Sequence, residues 1–400
     1  MFSSRVPGDL EPNRLTQAVR MARAAGGPLY DLTITNPTAA GIMYPPSILD
    51  RLANPAARSY EPRPFGLGTA REAVVGDYAR RGINVAPERV VLTASTSEAY
   101  SLLFKLLCDP QGDSVMVPVP SYPLFDHLTR LDGVRSIPYR LDYHGRWTVD
   151  FDSVDSGWDA SVRAVLAVSP NNPTGSVLSA AERHGLSTRC AERDAALIVD
   201  EVFADYPLDT DLVRLKADTT GVRPYVASGF SRTTCLIFYL GGLSKSAGLP
   251  QVKLGWIAVD GPDRQVAEAL DRLELICDTY LSVSTPVQVA APALIESGAF
   301  VREQIVERVR TNYASLRTLA AAYPSTELLN AEAGWSAVVR VPSTRSEEAL
   351  ALDLIERDGV VVHPGFFFDF AHEAFLVVSL LPEPATFFEG ARRMLERADV

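Results

Sequence analysis

A chain of 400 residues is longer than one compact core usually serves, so a large domain with a smaller companion is expected. Hydrophobic residues make up 47% and charged residues 22%, the balance of a globular chain, and no apolar run reaches the length of a membrane span. A formal net charge of -11 without any lysine or arginine run sets the surface against nucleic acid, although a local basic pocket can still take a small anion.

In chain order, Met1 to Arg14 shows no apolar stretch behind a basic start, so no secretory signal is expected and the cytoplasm is the expected compartment. The segment before Tyr44 carries its own apolar run, Leu29 to Ile34, and is expected to pack on the smaller domain. Short apolar runs then alternate with helical segments, the pattern of a sheet fed by crossover helices. Strands are expected at Arg89 to Leu92, Ser114 to Val117, Ala164 to Val168, Ala195 to Val199, Thr234 to Tyr239 and Leu254 to Val259. Helices are expected between them, for example over Glu98 to Leu107 and Ala180 to Arg193. Asp209 to Ser231 is polar and irregular and reads as a surface excursion. Pro262 to Tyr323 reads as helical with a break at Ser282 to Pro286, and strands return at Ser336 to Val341, Val360 to Val362 and Phe375 to Leu380. The expected division is an arm over residues 1–44, a large domain over 45–310 and a small domain over 311–400. Cys108, Cys190, Cys235 and Cys277 are scattered without a C-x-x-C pair, which points to reduced thiols and to no metal site.

Polar or Gly-rich clusters follow several of these strands: Thr93 to Ser97, Pro118 to Tyr122, Ser169 to Gly175, Asp200 to Phe203 and Gly241 to Lys245. Ligands of open α/β sheets bind at the carboxyl ends of strands, so one pocket is expected. Lys245, after an apolar strand and a Gly-Gly pair, reads on its own either as a solvated surface lysine or as an amine pointing into that pocket, where it condenses with a carbonyl. Asp200 directly follows AALIV, where an unpaired carboxylate is costly, so it needs a cationic partner, an internal arginine or a helix to cap. Thr93 to Glu98 runs from strand to helix and reads equally as a simple N-cap or as an anion cradle of free N–H groups and hydroxyls. Asn172-Pro173-Thr174-Gly175 is a turn whose asparagine amide can donate to an anionic oxygen and whose Asn-Pro bond is a cis candidate. Tyr122 stands on a Pro-stiffened loop, either as core filler or as a ring that stacks on a flat ligand.

Taken in order, STSEA, PSYPLF, SPNNPTG, VDEVFADY and LSKSAGLPQVKLGW resemble the class I/II aminotransferases, which share the fold-type-I architecture of aspartate aminotransferase. The resemblance spans nearly the whole chain from Asn36-Pro37-Thr38 onward. It implies an α/β fold with a large, mostly parallel sheet in a three-layer α/β/α domain and a smaller α+β domain. It also implies pyridoxal 5'-phosphate as cofactor, amino and oxo acids as small-molecule substrates, and a homodimer with shared active sites. Lys245 would carry the cofactor as a Schiff base, Asp200 would pair with the pyridine nitrogen, Asn172 would donate to the 3'-oxygen and Tyr122 would stack on the ring. Ser95, Thr96 and Ser97 would hold the phosphate with Ser244 and Lys253, and Tyr60 would reach the phosphate of the neighbouring subunit. The reaction implied is transamination. Beta-elimination, decarboxylation or racemisation on the same site, and a non-catalytic regulatory protein of the same fold, are the other readings.

Four positions depart from the family's pattern. Phe203 replaces the usual tyrosine, removing one donor to the 3'-oxygen. Lys253 replaces an arginine, and Gly242 stands where many relatives have a serine. Val377 stands where relatives have the arginine that grips the substrate's α-carboxylate. Either another basic residue substitutes or the substrate is unusual: Arg63, Arg340 and His363 are candidates, each read first as a surface or strand-end salt bridge. Asn36 is a substrate-side candidate, while the aromatic run His363 to Phe370 with Trp335 and Tyr44 either lines an apolar substrate pocket or packs in the core.

Overall fold

The computed structural model describes residues 2–208 and 234–399, so the expected excursion at Asp209 to Ser231 lies outside the described residues. The arm contributes β1 (Tyr30–Asp31). The large sheet follows with β2 (Val90–Thr93), β3 (Ser114–Val119), β4 (Arg135–Tyr143), β5 (Trp147–Val149), β6 (Val162–Val168), β7 (Ala196–Asp200), β8 (Ile237–Gly242) and β9 (Gly255–Asp260). Its eight strands lie in the order β2-β9-β8-β7-β6-β3-β4-β5. Strands β8, β7, β6, β3 and β4 are mutually parallel, while β9 runs against both of its neighbours and β5 against β4.

The parallel strands are buried on both faces, which is why they read as continuous apolar runs. Along β7, Ala196 and Ile198 pack with the helices Thr96–Leu107 and Asp263–Tyr280, while Leu197 and Val199 pack with the opposite layer, which contains the helix Ala180–Glu192. This alternation gives three layers. Strands β4 and β5 have no counterpart in the sequence reading. Strand β4 is RSIPYRLDY, whose Pro138 and charged residues break the apolar pattern, and it lies near the edge, where such residues are tolerated.

The remaining strands are β10 (Glu327–Leu328), β11 (Ser336–Arg340), β12 (Val360–Val361), β13 (His363–Pro364) and β14 (Phe375–Ser379). Four of them form an antiparallel sheet in the order β10-β11-β14-β13. Strand β1 pairs in parallel with β12, and the arm continues onto β14, where the Ser379 N–H donates to the Leu32 carbonyl at 2.7 Å. The two sheets share the 36-residue helix Thr285–Ala320, which runs unbroken across the boundary expected after Arg310. At a rise of about 1.5 Å per residue it spans roughly 54 Å. Midway it packs against the Lys245 turn, and further on Asn312 donates to the carbonyls of Leu380 and Pro382.

Candidate active site

Strand direction brings the polar clusters together. Strands β3, β6, β7 and β8 end at one edge of the sheet, at Val119, Val168, Asp200 and Gly242. Strand β2 ends there too, because it is antiparallel to β9, which is antiparallel to β8. The reversed β9 begins at that edge: Gly255 pairs with both Thr93 and Gly242. Lys253 therefore enters from a different chain direction but arrives at the same rim as Ser95 to Ser97.

The turn carrying Lys245 is shaped by two glycines. A Cβ on Gly241 would stand 2.5 Å from the Trp256 indole nitrogen, and one on Gly242 would stand 3.2 Å from the Gly255 Cα and the Leu254 carbonyl oxygen. A serine at 242 would crowd the β8–β9 pairing, so its absence follows from the packing. The chain turns straight into the helix Leu243–Ser246, and the Tyr206 hydroxyl donates to the carbonyl of Lys245. The lysine Nζ lies 4.8 Å from the Trp335 ring centroid and 5.6 Å from that of Phe203. Burial lowers its pKa to about 8, against the opposing pull of the Asp200 charge.

Asp200 continues the face of Ala196 and Ile198, so it meets Tyr100 of the helix Thr96–Leu107. The Tyr100 hydroxyl donates to Oδ2 and the Val202 N–H to Oδ1, each at 3.0 Å. Burial nevertheless pushes the carboxyl up to about 6, and among the described residues it has no ion pair within 4 Å. Neither an internal arginine nor a cap settles its charge. A cationic ring nitrogen fits that requirement.

Asn172 accepts from the Ser336 hydroxyl at 3.2 Å, and its amide nitrogen has no partner among the described residues. The Asn172–Pro173 bond is cis. Its neighbour Asn171 is structural: it donates to Pro120 O and Thr174 Oγ1 and accepts from Ser121. Ser95 caps the helix by accepting from the Glu98 N–H at 3.1 Å, while Glu98 accepts from the Ala94 N–H at 2.5 Å. The cap and the cradle coexist, because the side chains of Thr96 and Ser97 and their first-turn N–H groups have no partner among the described residues. Ser244 is half-buried, and Lys253 is exposed on a left-handed backbone with φ of 59°. Tyr122 is not core filler, since its ring is 46% exposed. These groups fit a flat, anionic, phosphorylated pyridine: a buried acid for the nitrogen, an amide for the ring oxygen, a helix start for the phosphate and an amine for the carbonyl.

On the substrate side, two of the three basic candidates sit in surface ion pairs. Arg340 is four residues, about 13 Å, along β11 from Ser336. There it is exposed and ion-paired with Glu327, as a strand-end salt bridge. Arg63 is exposed and paired with Glu61. His363 is held below its ordinary pKa by burial, against the pull of Asp31, and is flanked by Phe367 and Phe368, so it offers no fixed charge. Val377 is buried, in register with Val338 on one side and His363 on the other. Asn36 caps its own turn, its Oδ1 accepting from the Thr38 N–H and hydroxyl. Tyr44 donates to Gly248 O at 2.6 Å, behind the Lys245 turn. The aromatic loop reaches the large sheet, where the Ser121 N–H donates to Phe368 O at 3.0 Å. Tyr60 is 70% exposed and lines a surface cleft with Arg63 and Tyr280. Sequence reasoning missed Tyr100 and Tyr206; the signal for Tyr100 was its place one helical turn after Thr96 in an otherwise apolar face.

A family profile described as aminotransferase class I and II matches residues 47–386. Over 365 residues the chain is 25% identical to glutamate-pyruvate aminotransferase AlaA of Haemophilus influenzae, covering 89% of this chain and 87% of that one. Over 256 residues it is 26% identical to S-alkyl-thiohydroximate lyase SUR1 of Arabidopsis thaliana, covering 62% of this chain and about half, 52%, of that relative. Among solved structures, an alanine aminotransferase from Pyrococcus furiosus superposes with a TM-score of 0.82 at 21% identity, over 96% of this chain and 95% of that one. An aspartate aminotransferase variant from Thermus thermophilus does so with a TM-score of 0.81 at 20% identity, over 99% of both chains. At that identity the structural likeness speaks for the fold, and the profile speaks for the family. With the lysine, the buried acid and the helix start gathered at one sheet edge, the chain belongs to the class I and II aminotransferases, enzymes that depend on pyridoxal phosphate.

Proposed function

We propose that this chain transfers an amino group from an amino acid to a 2-oxo acid, with Lys245 as the catalytic lysine. The observation that carries the reading is a buried amine, lowered to about 8, facing a buried carboxyl raised to about 6 at the strand edge. When bound, pyridoxal phosphate supplies an electron sink for the pair left on the substrate α-carbon. Lys245 would hold the cofactor at rest and, when its amine is unbonded, would take up and pass on a proton at Nζ. Asp200 would keep a proton on the ring nitrogen, with Tyr100 and the Val202 N–H orienting its two oxygens. Asn172 would donate to the ring oxygen, and Tyr122 would cover the ring. Ser95, Thr96, Ser97 and Lys253 would receive the phosphate, with Ser244 beside them. Phe203 adds apolar contact where a phenol donor would otherwise stand. Asn36, Trp335, His363 and the loop Phe366 to Phe368 are assigned to the substrate side.

A homodimer is part of this reading. Leu275 and Tyr280 are exposed on one helix, and Tyr280 lines the same cleft as Tyr60, which is apolar surface that a second copy would cover. Four buried, unbridged cysteines fit a reducing, cytoplasmic setting, and among the described residues no helix is long and apolar enough to cross a membrane.

A β-elimination lyase is the second reading, favoured by Val377 in place of a carboxylate-binding arginine and by the likeness to a lyase. A panel of amino donors added to the holoenzyme separates the two. Transamination predicts that the absorbance of the lysine-bound cofactor gives way to that of its amino form and returns on adding a 2-oxo acid. Release of ammonia and a 2-oxo acid without that conversion would establish the lyase instead.

A further inference from the structure

Lys245 is free during any part of the cycle in which a substrate amine has taken its place, and the fold must then hold a mobile amine in reach of the substrate. Two aromatic rings stand at that position, with centroids 4.8 Å and 5.6 Å from Nζ. They meet each other edge to face at 5.4 Å. Trp335 is locked in place: it is 2% exposed, packs on Tyr206 at 5.0 Å, and its carbonyl accepts from the Leu380 N–H at 2.7 Å. Tyr206 also donates to the carbonyl of Lys245, so ring and lysine backbone are fixed to one another through a single side chain.

We propose that Trp335, with Phe203, is a cation–π seat for the unbonded amine of Lys245, a pair of positioning residues that keep Nζ at the sheet edge within the field of Asp200 while it is off the cofactor. A cation within about 6 Å of a ring centroid is drawn to the face of the π system. The ring faces attract the ammonium by its charge, so they steer it and leave its protons for the substrate side. The surrounding polar groups do not supply this. Among the described residues, Asp200, from β7, is the charge acting on the amine. Tyr100 is engaged with Asp200, Tyr206 with the lysine carbonyl, Tyr44 with Gly248 O, and Arg302 with Ser246 O and Asp77. The replacement of tyrosine by Phe203 then has a physical role, since a phenol would bring a competing polar group to the seat.

The inference rests on Lys245 being the reactive amine, and the test separates the two. The chain contains four lysines, Lys105, Lys216, Lys245 and Lys253, so protein grown on lysine labelled with carbon-13 at Cε gives four side-chain signals that single substitutions assign. In cofactor-free protein, wild-type Lys245 is expected to titrate well below the others. Trp335→Leu keeps the site apolar but removes the ring face, and is expected to lower that value further by about half a unit to one unit. Trp335→Phe is expected to retain most of the wild-type value, and Phe203→Leu to give a smaller fall than Trp335→Leu. An unchanged or raised value in Trp335→Leu, or an equal fall in Trp335→Phe, would sink the seat. If Trp335→Leu does not fold, the absence of any fall in Phe203→Leu overturns it. A wild-type Lys245 that titrates with the exposed lysines instead overturns the reading of Lys245 itself.

Discussion

At the scale of single residues, Asp200 offers the sharpest consequence. Burial pushes its carboxyl up to about 6 in the folded chain against about 3.9 when unfolded, so the native state binds the proton more tightly. The stability this contributes is fully present below about pH 4 and is lost as pH rises through 6, a change on the order of 3 kcal/mol. Asp200→Asn removes that penalty. In cofactor-free protein the melting temperature of the variant should exceed wild type at pH 8 and match it at pH 4, while cofactor retention at pH 8 weakens by roughly a hundredfold for want of the buried ion pair. A variant less stable at both pH values would mean that the carboxylate is already paired inside the protein. Arg340→Ala tests the other end of the site. With Glu327 holding that guanidinium at the surface, the KM for amino donors should stay within about twofold and stability within about 1 kcal/mol. A tenfold rise in KM would return Arg340 to the substrate side.

Among the elements, the helix Thr285–Ala320 sets the position of the Lys245 turn. A Cβ on Gly298 would stand 2.4 Å from the Ala247 Cβ, so Gly298→Val pushes helix and turn apart. Overpacking of this kind costs about 1–3 kcal/mol, and turnover should fall more than donor KM rises, because the reacting amine moves rather than the substrate pocket. Steady-state kinetics beside thermal melts would measure both. The sequence made β7 legible because AALIV is continuous and ends in an acid, and it made the helix start at Ser95 legible because STSE is a capping pattern. It hid β4, where Pro138 and two arginines interrupt the run. It also hid the meeting of Trp335 with Lys245, since no local rule relates a residue entering β11 to one following β8. The sequence left Arg340 open for a related reason: period-two alternation assigns it a face of the sheet but not a distance along the strand from the pocket.

For the whole molecule, the proposed homodimer would be closed through the exposed face bearing Leu275, Tyr280 and Tyr60. A Leu275→Glu and Tyr280→Glu double variant should sediment as a monomer where the wild type sediments as a dimer, and it should lose transamination while keeping its far-ultraviolet circular dichroism. Wild type sedimenting as a monomer at micromolar concentration with full activity would remove the shared-site reading. The sheet has one more property at this scale. Its earliest strand, β2, is joined to its latest, β9, by the pairing of Thr93 with Gly255, and everything else in the sheet is synthesised between them. On the ribosome, therefore, the rim that receives the phosphate cannot close until the last of these strands has left the exit tunnel. Loop closure over such a separation is slow. In refolding, recovery of cofactor absorbance should lag behind the return of helical signal, which makes the cofactor a timer for the moment when the first and last strands of the sheet meet.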